Sequence, residues 1–311
     1  MKIFIIIILA FSSVFVKAQD YYEYYNGINK AKLFIAQDSI EEGIYHYFET
    51  FEKFDFIFAR DCYNAIELSA LVKDSLNLEY FIRRGIKQGI NFKQILRIKN
   101  VSEFQTSTFM KKIENEKDSL ENIYINSINW ELRTEIIEMF EQDQLIREKY
   151  YSTFLLKRKK IGREWEALNK VQVERLIELT KKFGFPGEKL IGIDTKKMHY
   201  KIDNNYMSAG MPIVIFIHHY SQPNESYNSI LKNEIQSGNL YNEHYAIISD
   251  FQYTYGKEKF GSIPCYSTRY NPKESNEKID INRLDIGLLS LSNTNKLQSR
   301  NYITPFWLKL R

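Results

Sequence analysis

The sequence predicts a mainly α-helical protein: N-terminal helical-hairpin repeats followed by a second, mostly helical domain. Three observations predict it. Apolar residues recur at spacings of three and four along most of the chain, the pattern of amphipathic helices. Glycine (13) and proline (6) are too scarce in 311 residues for a turn-dense all-β fold. Two helix-opening segments repeat at an offset of thirty-six residues, a period typical of stacked helical hairpins.

Residues 1–18 read as an address. Lys2 precedes an apolar run from Ile3 to Val16, and the small residues Val16 and Ala18 suit signal-peptide cleavage before Gln19. A spanning helix needs roughly 20 apolar residues, more than this run supplies, so cleavage is favoured over anchoring. No cysteine follows the run, which argues against a lipoprotein. No second long apolar run follows, so no membrane span is expected once the leader is removed. The chain is expected to be exported, periplasmic or secreted, and its many Ile, Lys, Asn and Tyr residues suggest an AT-rich bacterial genome. Losing Lys2 and Lys17 lowers the net charge from +4 to +2. That balance is no nucleic-acid footprint.

Residues 19–98 carry the repeats. Ile28, Ala31, Leu33 and Ile35 mark one helix; Ile40, Ile44, Tyr47, Phe48 and Phe51 mark the next. Asp38-Ser39 and Asp74-Ser75 are read as helix caps, because Asp and Ser oxygens accept from the unsatisfied N–H groups of a first turn. Similar strings follow each pair, from Ile40 to Phe48 and from Leu76 to Arg84. Small residues in the segment Phe58–Ala65 suit close helix packing. The module resembles tetratricopeptide-type repeats, without their full consensus or closing prolines. The resemblance implies two-helix units that offer a concave face to a protein or peptide partner, or that buttress the next domain.

Residues 99–128 read as a polar, lysine-rich helical connector, and 129–311 as the second domain. Leu132, Ile136, Phe140, Ile146, Tyr150 and Phe154 continue the helical period. A further helix is predicted from about Trp165 to Phe183, stopped by Gly184 and Pro186. Lys157-Arg158-Lys159-Lys160, with aromatics upstream, reads as solvated charge at a helix end or loop. The tail beyond Ser292 reads as loop with a short strand or helix.

Several motifs occur in order over about residues 130–290: Asp143-Gln144 with Arg147; Gly184-Phe185-Pro186-Gly187 and then Gly192; an apolar segment closed by His218-His219; Tyr245-Ala246 with Asp250; Phe260-Gly261-Ser262-Ile263; and Asn282-Arg283 with Ile286-Gly287-Leu288. The ordered set resembles an uncharacterised bacterial domain-of-unknown-function family without an assigned activity. Phe185, Phe251 and Ile263 stand where that family commonly has Trp, Arg and Gln. The segment from Met211 to Ile217 has strand-like composition, and the resemblance implies a buried helix there.

The candidate site residues are Asp143, Gln144, Arg147, His218, His219, His244 and Asp250. Asp143 and Arg147 are four apart and share a helix face. They suit a base, or an orienting carboxylate, beside an anion clamp; they equally suit a plain helix ion pair. Adjacent histidines point apart, so no chelate by His218 and His219 together is expected. A metal would need one of them with His244 and a carboxylate, and no metal or cofactor is predicted. No phosphate-loop, dinucleotide or nucleophile-elbow fingerprint is present. Cys62 and Cys265 are read as free structural thiols. The function expected is an envelope protein binding a partner or ligand through its repeats and a polar pocket. The alternative is a small hydrolase or transferase using the Asp/Arg/His cluster.

Overall fold

The computed structural model describes residues 19–194, 208–220, 227–255, 263–268 and 274–304. The leader, the motif residues Phe260, Gly261 and Ser262, and the chain beyond residue 304 lie outside the described residues. Among those described the fold is mainly α, with helical hairpins and no strand.

The first four helices are α1 (Tyr21–Ala36), α2 (Ile40–Lys53), α3 (Ala59–Leu71) and α4 (Ser75–Lys87). α1 packs on α2 and α3 on α4, as paired repeats require. The two expected caps differ. Asp74 accepts from the Asn77 N–H, whereas Ser39 makes no side-chain cap. Asp38 has a positive φ of 64°, and its carboxylate instead takes the Tyr302 hydroxyl and the Arg300 guanidinium. A tertiary contact has claimed a side chain that local geometry would have used as a cap.

The connector holds a short α5 (Phe92–Ile95), a 3₁₀ turn at Val101–Phe104 and α6 (Thr108–Ser127). Of α6 only Met110, Ile113 and Leu120 are buried, which is why its sequence reads as polar. Asn129 caps α7 (Trp130–Ser152), accepting from the Leu132 N–H. The helix α8 (Leu155–Phe183) starts well before Trp165 and includes the whole basic run. Its apolar period fails there because only Ile161 is buried before Asn169.

α8 ends at Gly184, and α9 (Glu188–Ile191) follows. A Cβ on Gly187 would lie 2.0 Å from the Asn239 carbonyl oxygen, so this turn tolerates no side chain. Gly192 has φ +69°, a left-handed backbone that favours glycine. The glycines serve packing and chain reversal.

The remaining helices are α10 (Met211–Tyr220), α11 (Asn228–Gln236), α12 (Asn242–Tyr255), α13 (Asn276–Asp285) and α14 (Leu291–Arg300). The apolar segment at Met211 is thus helical. It packs against α7, α8 and α12, so apolar side chains on every face have partners. Of the tail after Ser292, the residues up to Arg300 belong to α14, and 301–304 follow it outside any helix. One apolar core runs from Tyr21 to Leu297. α1 joins the two halves by packing on α11 and α14. Cys62 and Cys265 are buried free thiols, the latter pushed up to about 12 by burial.

Candidate functional site

The strongest polar cluster lies where α7, α8 and α10 meet. Asp143 is fully buried on α7 and accepts four hydrogen bonds. Trp165 Nε1 (2.9 Å) and Asn169 Nδ2 (3.1 Å) donate to Oδ1. Gln144 Nε2 (2.8 Å) and His218 Nδ1 (2.7 Å) reach Oδ2. Four donors fill the acceptor sites of a carboxylate. Trp165 and Asn169 are one helical turn apart on α8, so both can face the same carboxylate.

His218 comes from the last turn of α10 and keeps 17% of its side-chain surface exposed. The Trp165 ring stands edge-on at 5.1 Å. A carboxylate facing Nδ1 places the proton of the neutral imidazole on that nitrogen, so the lone pair resides on Nε2. The arrangement can accept a proton at Nε2 and stabilise the imidazolium that results.

Arg147 lies one turn along α7, its guanidinium 5.4 Å from the Tyr151 ring centroid. Asp143 is taken by His218, Gln144, Trp165 and Asn169. His219 is buried beside His218, and burial with the nearby Lys170 charge pushes it down to about 4. It is therefore neutral at ordinary pH. The two histidines diverge as adjacent helix positions must.

His244 and Asp250 belong elsewhere. His244 is buried on α12, its Nε2 3.3 Å from an Arg60 nitrogen, and burial with that cation holds it well below the usual range. Arg60 also donates to Glu243 at 2.9 Å and lies 4.4 Å from the Tyr241 ring centroid. Nearby, Lys32 pairs at 3.8 Å with the buried Asp61, which also accepts from Tyr24. Lys32 and Glu243 help to line a cavity of about 240 Å³ and an adjoining one of about 220 Å³.

Asp250 anchors a loop. It accepts from the Tyr266 N–H and from both the N–H and hydroxyl of Thr268. Ser249 donates to the Pro264 carbonyl, Asn282 to that of Cys265 and Arg283 to that of Tyr266. Two of the ordered motifs thus converge on residues 263–268 as a structural clasp.

The seven candidates do not form one pocket. Asp143, Gln144 and His218 come together, with Arg147 and His219 adjacent, while His244 and Asp250 serve separate networks. Nothing in the sequence marked Trp165, Asn169, Lys32, Arg60 or Glu243 as site residues. The first two were four apart on a predicted helix, but only their partner's position gives that spacing meaning. Among the described residues no group of three or more His, Cys, Asp and Glu is arranged to hold a metal ion. The chain matches no known family model, no curated protein and no solved structure.

Proposed function

We propose that this is an exported protein acting on a small polar ligand at the α7–α8–α10 cluster, with His218 as the proton-transferring group. This is the hydrolase-or-transferase reading. One observation carries it: a buried carboxylate with four donors holds a partly exposed imidazole at 2.7 Å through Nδ1. Plain packing of α10 against α7 would not need a histidine that keeps contact with solvent. Asp143 orients the ring and balances the charge that develops on it, and Gln144, Trp165 and Asn169 keep Asp143 from turning. His218 Nε2 takes the proton of an attacking water or hydroxyl and returns it to the leaving group.

The test is a screen of activated ester, phosphoester and glycoside reporters with the unaltered chain and with His218→Gln. Turnover that falls by roughly 100-fold or more in the variant supports the reading. Absence of turnover in the unaltered chain, or equal turnover in the variant, sinks it.

A second reading, ligand binding without chemistry, has its own support in the cavities beside Lys32 and Glu243. A ligand seated there would lie between the N-terminal hairpins and α12–α14. Ligand-induced stabilisation abolished by Lys32→Met, but kept by His218→Gln, would favour it.

A further inference from the structure

The turn between α7 and α8 carries an apolar cluster left open to solvent. Phe154 is 84% exposed, Leu155 74% and Leu156 93%, with Tyr151 beside them at 60%. Single exposed leucines are ordinary, but three consecutive large apolar side chains at the tip of a helical hairpin are not.

The same tip concentrates positive charge. Between residues 147 and 163 there are seven basic residues and one acidic, in a chain whose net charge is only +4. Four of them, Lys157 to Lys160, occupy the first turns of α8. Cations there oppose the helix dipole, so helix stability does not call for them. Arg158 is used internally, donating to the Tyr151 and Thr153 carbonyls at the end of α7. Among the described residues, Lys160 and Lys149 pair with the exposed Glu164, at 3.9 and 3.5 Å. Lys157 and Lys159 are exposed.

We propose that this tip docks on an anionic membrane surface, with Phe154, Leu155 and Leu156 entering the acyl boundary and the lysines meeting lipid phosphates. An apolar wedge ringed by cations matches that boundary on both counts. A second copy of the chain fits poorly, because joining two tips would bring like charges face to face. A nucleic acid would use the cations but leave the leucines without a role. Attachment would be peripheral, since among the described residues no helix is long and apolar enough to cross a membrane. The tip stands nine residues beyond Asp143 along α7, about 14 Å of helix. The docking does not depend on any chemistry at His218.

Co-sedimentation with vesicles tests it, using the chain from Gln19 onward so that the apolar leader does not contribute. Vesicles of mixed phosphatidylglycerol and phosphatidylcholine are expected to bind the chain, and pure phosphatidylcholine to bind it at least about tenfold more weakly. Raised salt should release it, because the attraction is screened. The double variant Leu155→Ser/Leu156→Ser and the triple variant Lys157→Gln/Lys159→Gln/Lys160→Gln should each weaken binding by about tenfold or more. All five side chains are exposed, and an unchanged melting temperature would show that the variants fold. Failure to bind anionic vesicles, equal binding to neutral ones, or variants that bind undiminished overturn the proposal. So does a dimer in vesicle-free solution that the leucine variant dissolves, or binding to oligonucleotide with none to vesicles.

Discussion

At the scale of single residues, environment separates side chains of the same type. His218 faces a carboxylate and solvent, His219 is buried near the Lys170 charge, and His244 faces an arginine. Asp143→Asn would remove the acceptor that sets the His218 proton on Nδ1. The expected outcome is a mixture of His218 tautomers, seen in ¹⁵N correlation spectra, and a stability loss of about 1–3 kcal/mol from imperfectly paired buried donors. Glu188 carries a second prediction. It is buried on α9, accepts from the Ala59 N–H, and burial raises it to about 8. Between its ordinary value near 4.5 and about 8 the folded chain keeps a proton that the unfolded chain has released. Stability therefore falls as pH rises through that window. Glu188→Gln, which cannot ionise, should flatten this decline by a few kcal/mol, on the order of 1.4 kcal/mol per pH unit, in denaturant titrations. His219 acts with the opposite slope. It resists protonation in the fold, so stability falls as pH drops from about 6.5 toward about 4.

At the scale of elements, helix periodicity found α1, α2, α7 and the later part of α8, the repeat added α3 and α4, and α11 to α13 were not marked by any pattern; helix ends were decided by single contacts. Asp74→Ala should cost about 1 kcal/mol, because Asp74 caps α4. Ser39→Ala should cost nearly nothing, because Ser39 makes no cap bond. Urea denaturation of the two variants checks the contrast. The start of α8 was illegible for a related reason. Its first turns project past the core, so the apolar positions that would mark a buried face point into solvent. The clasp on residues 263–268 shows the same limit from the other side. Asp250, Asn282 and Arg283 stood out as polar motifs, but nothing in their spacing distinguished a loop anchor from a catalytic group.

At the scale of the whole molecule, the N-terminal hairpins are built into the rest. Tyr25 donates to the Leu240 carbonyl and Asn29 to that of Gly287, and Phe58 and Tyr25 pack on Tyr241. Arg60, 4% exposed, meets Glu243 across the same boundary. Removing residues 19–98 should therefore expose core surface of α11, α12 and α14. A chain beginning at residue 99 is expected to be insoluble or rapidly proteolysed, and a protease-resistant, cooperatively melting fragment would contradict this.

The sequence by itself determined the helical class, the paired N-terminal hairpins, the absence of a disulfide framework and three of the site's polar residues, Asp143, Gln144 and His218. Those features depend on local periodicity and composition, which a single strand of letters carries. Tertiary structure alone decided that Asp143 and His218, seventy-five positions apart, share a hydrogen bond. It also decided that His244 belongs to Arg60 and that Asp250 belongs to a loop. Such pairings depend on which helix faces meet, and helix faces are matched by the shape of the whole core rather than by any local pattern.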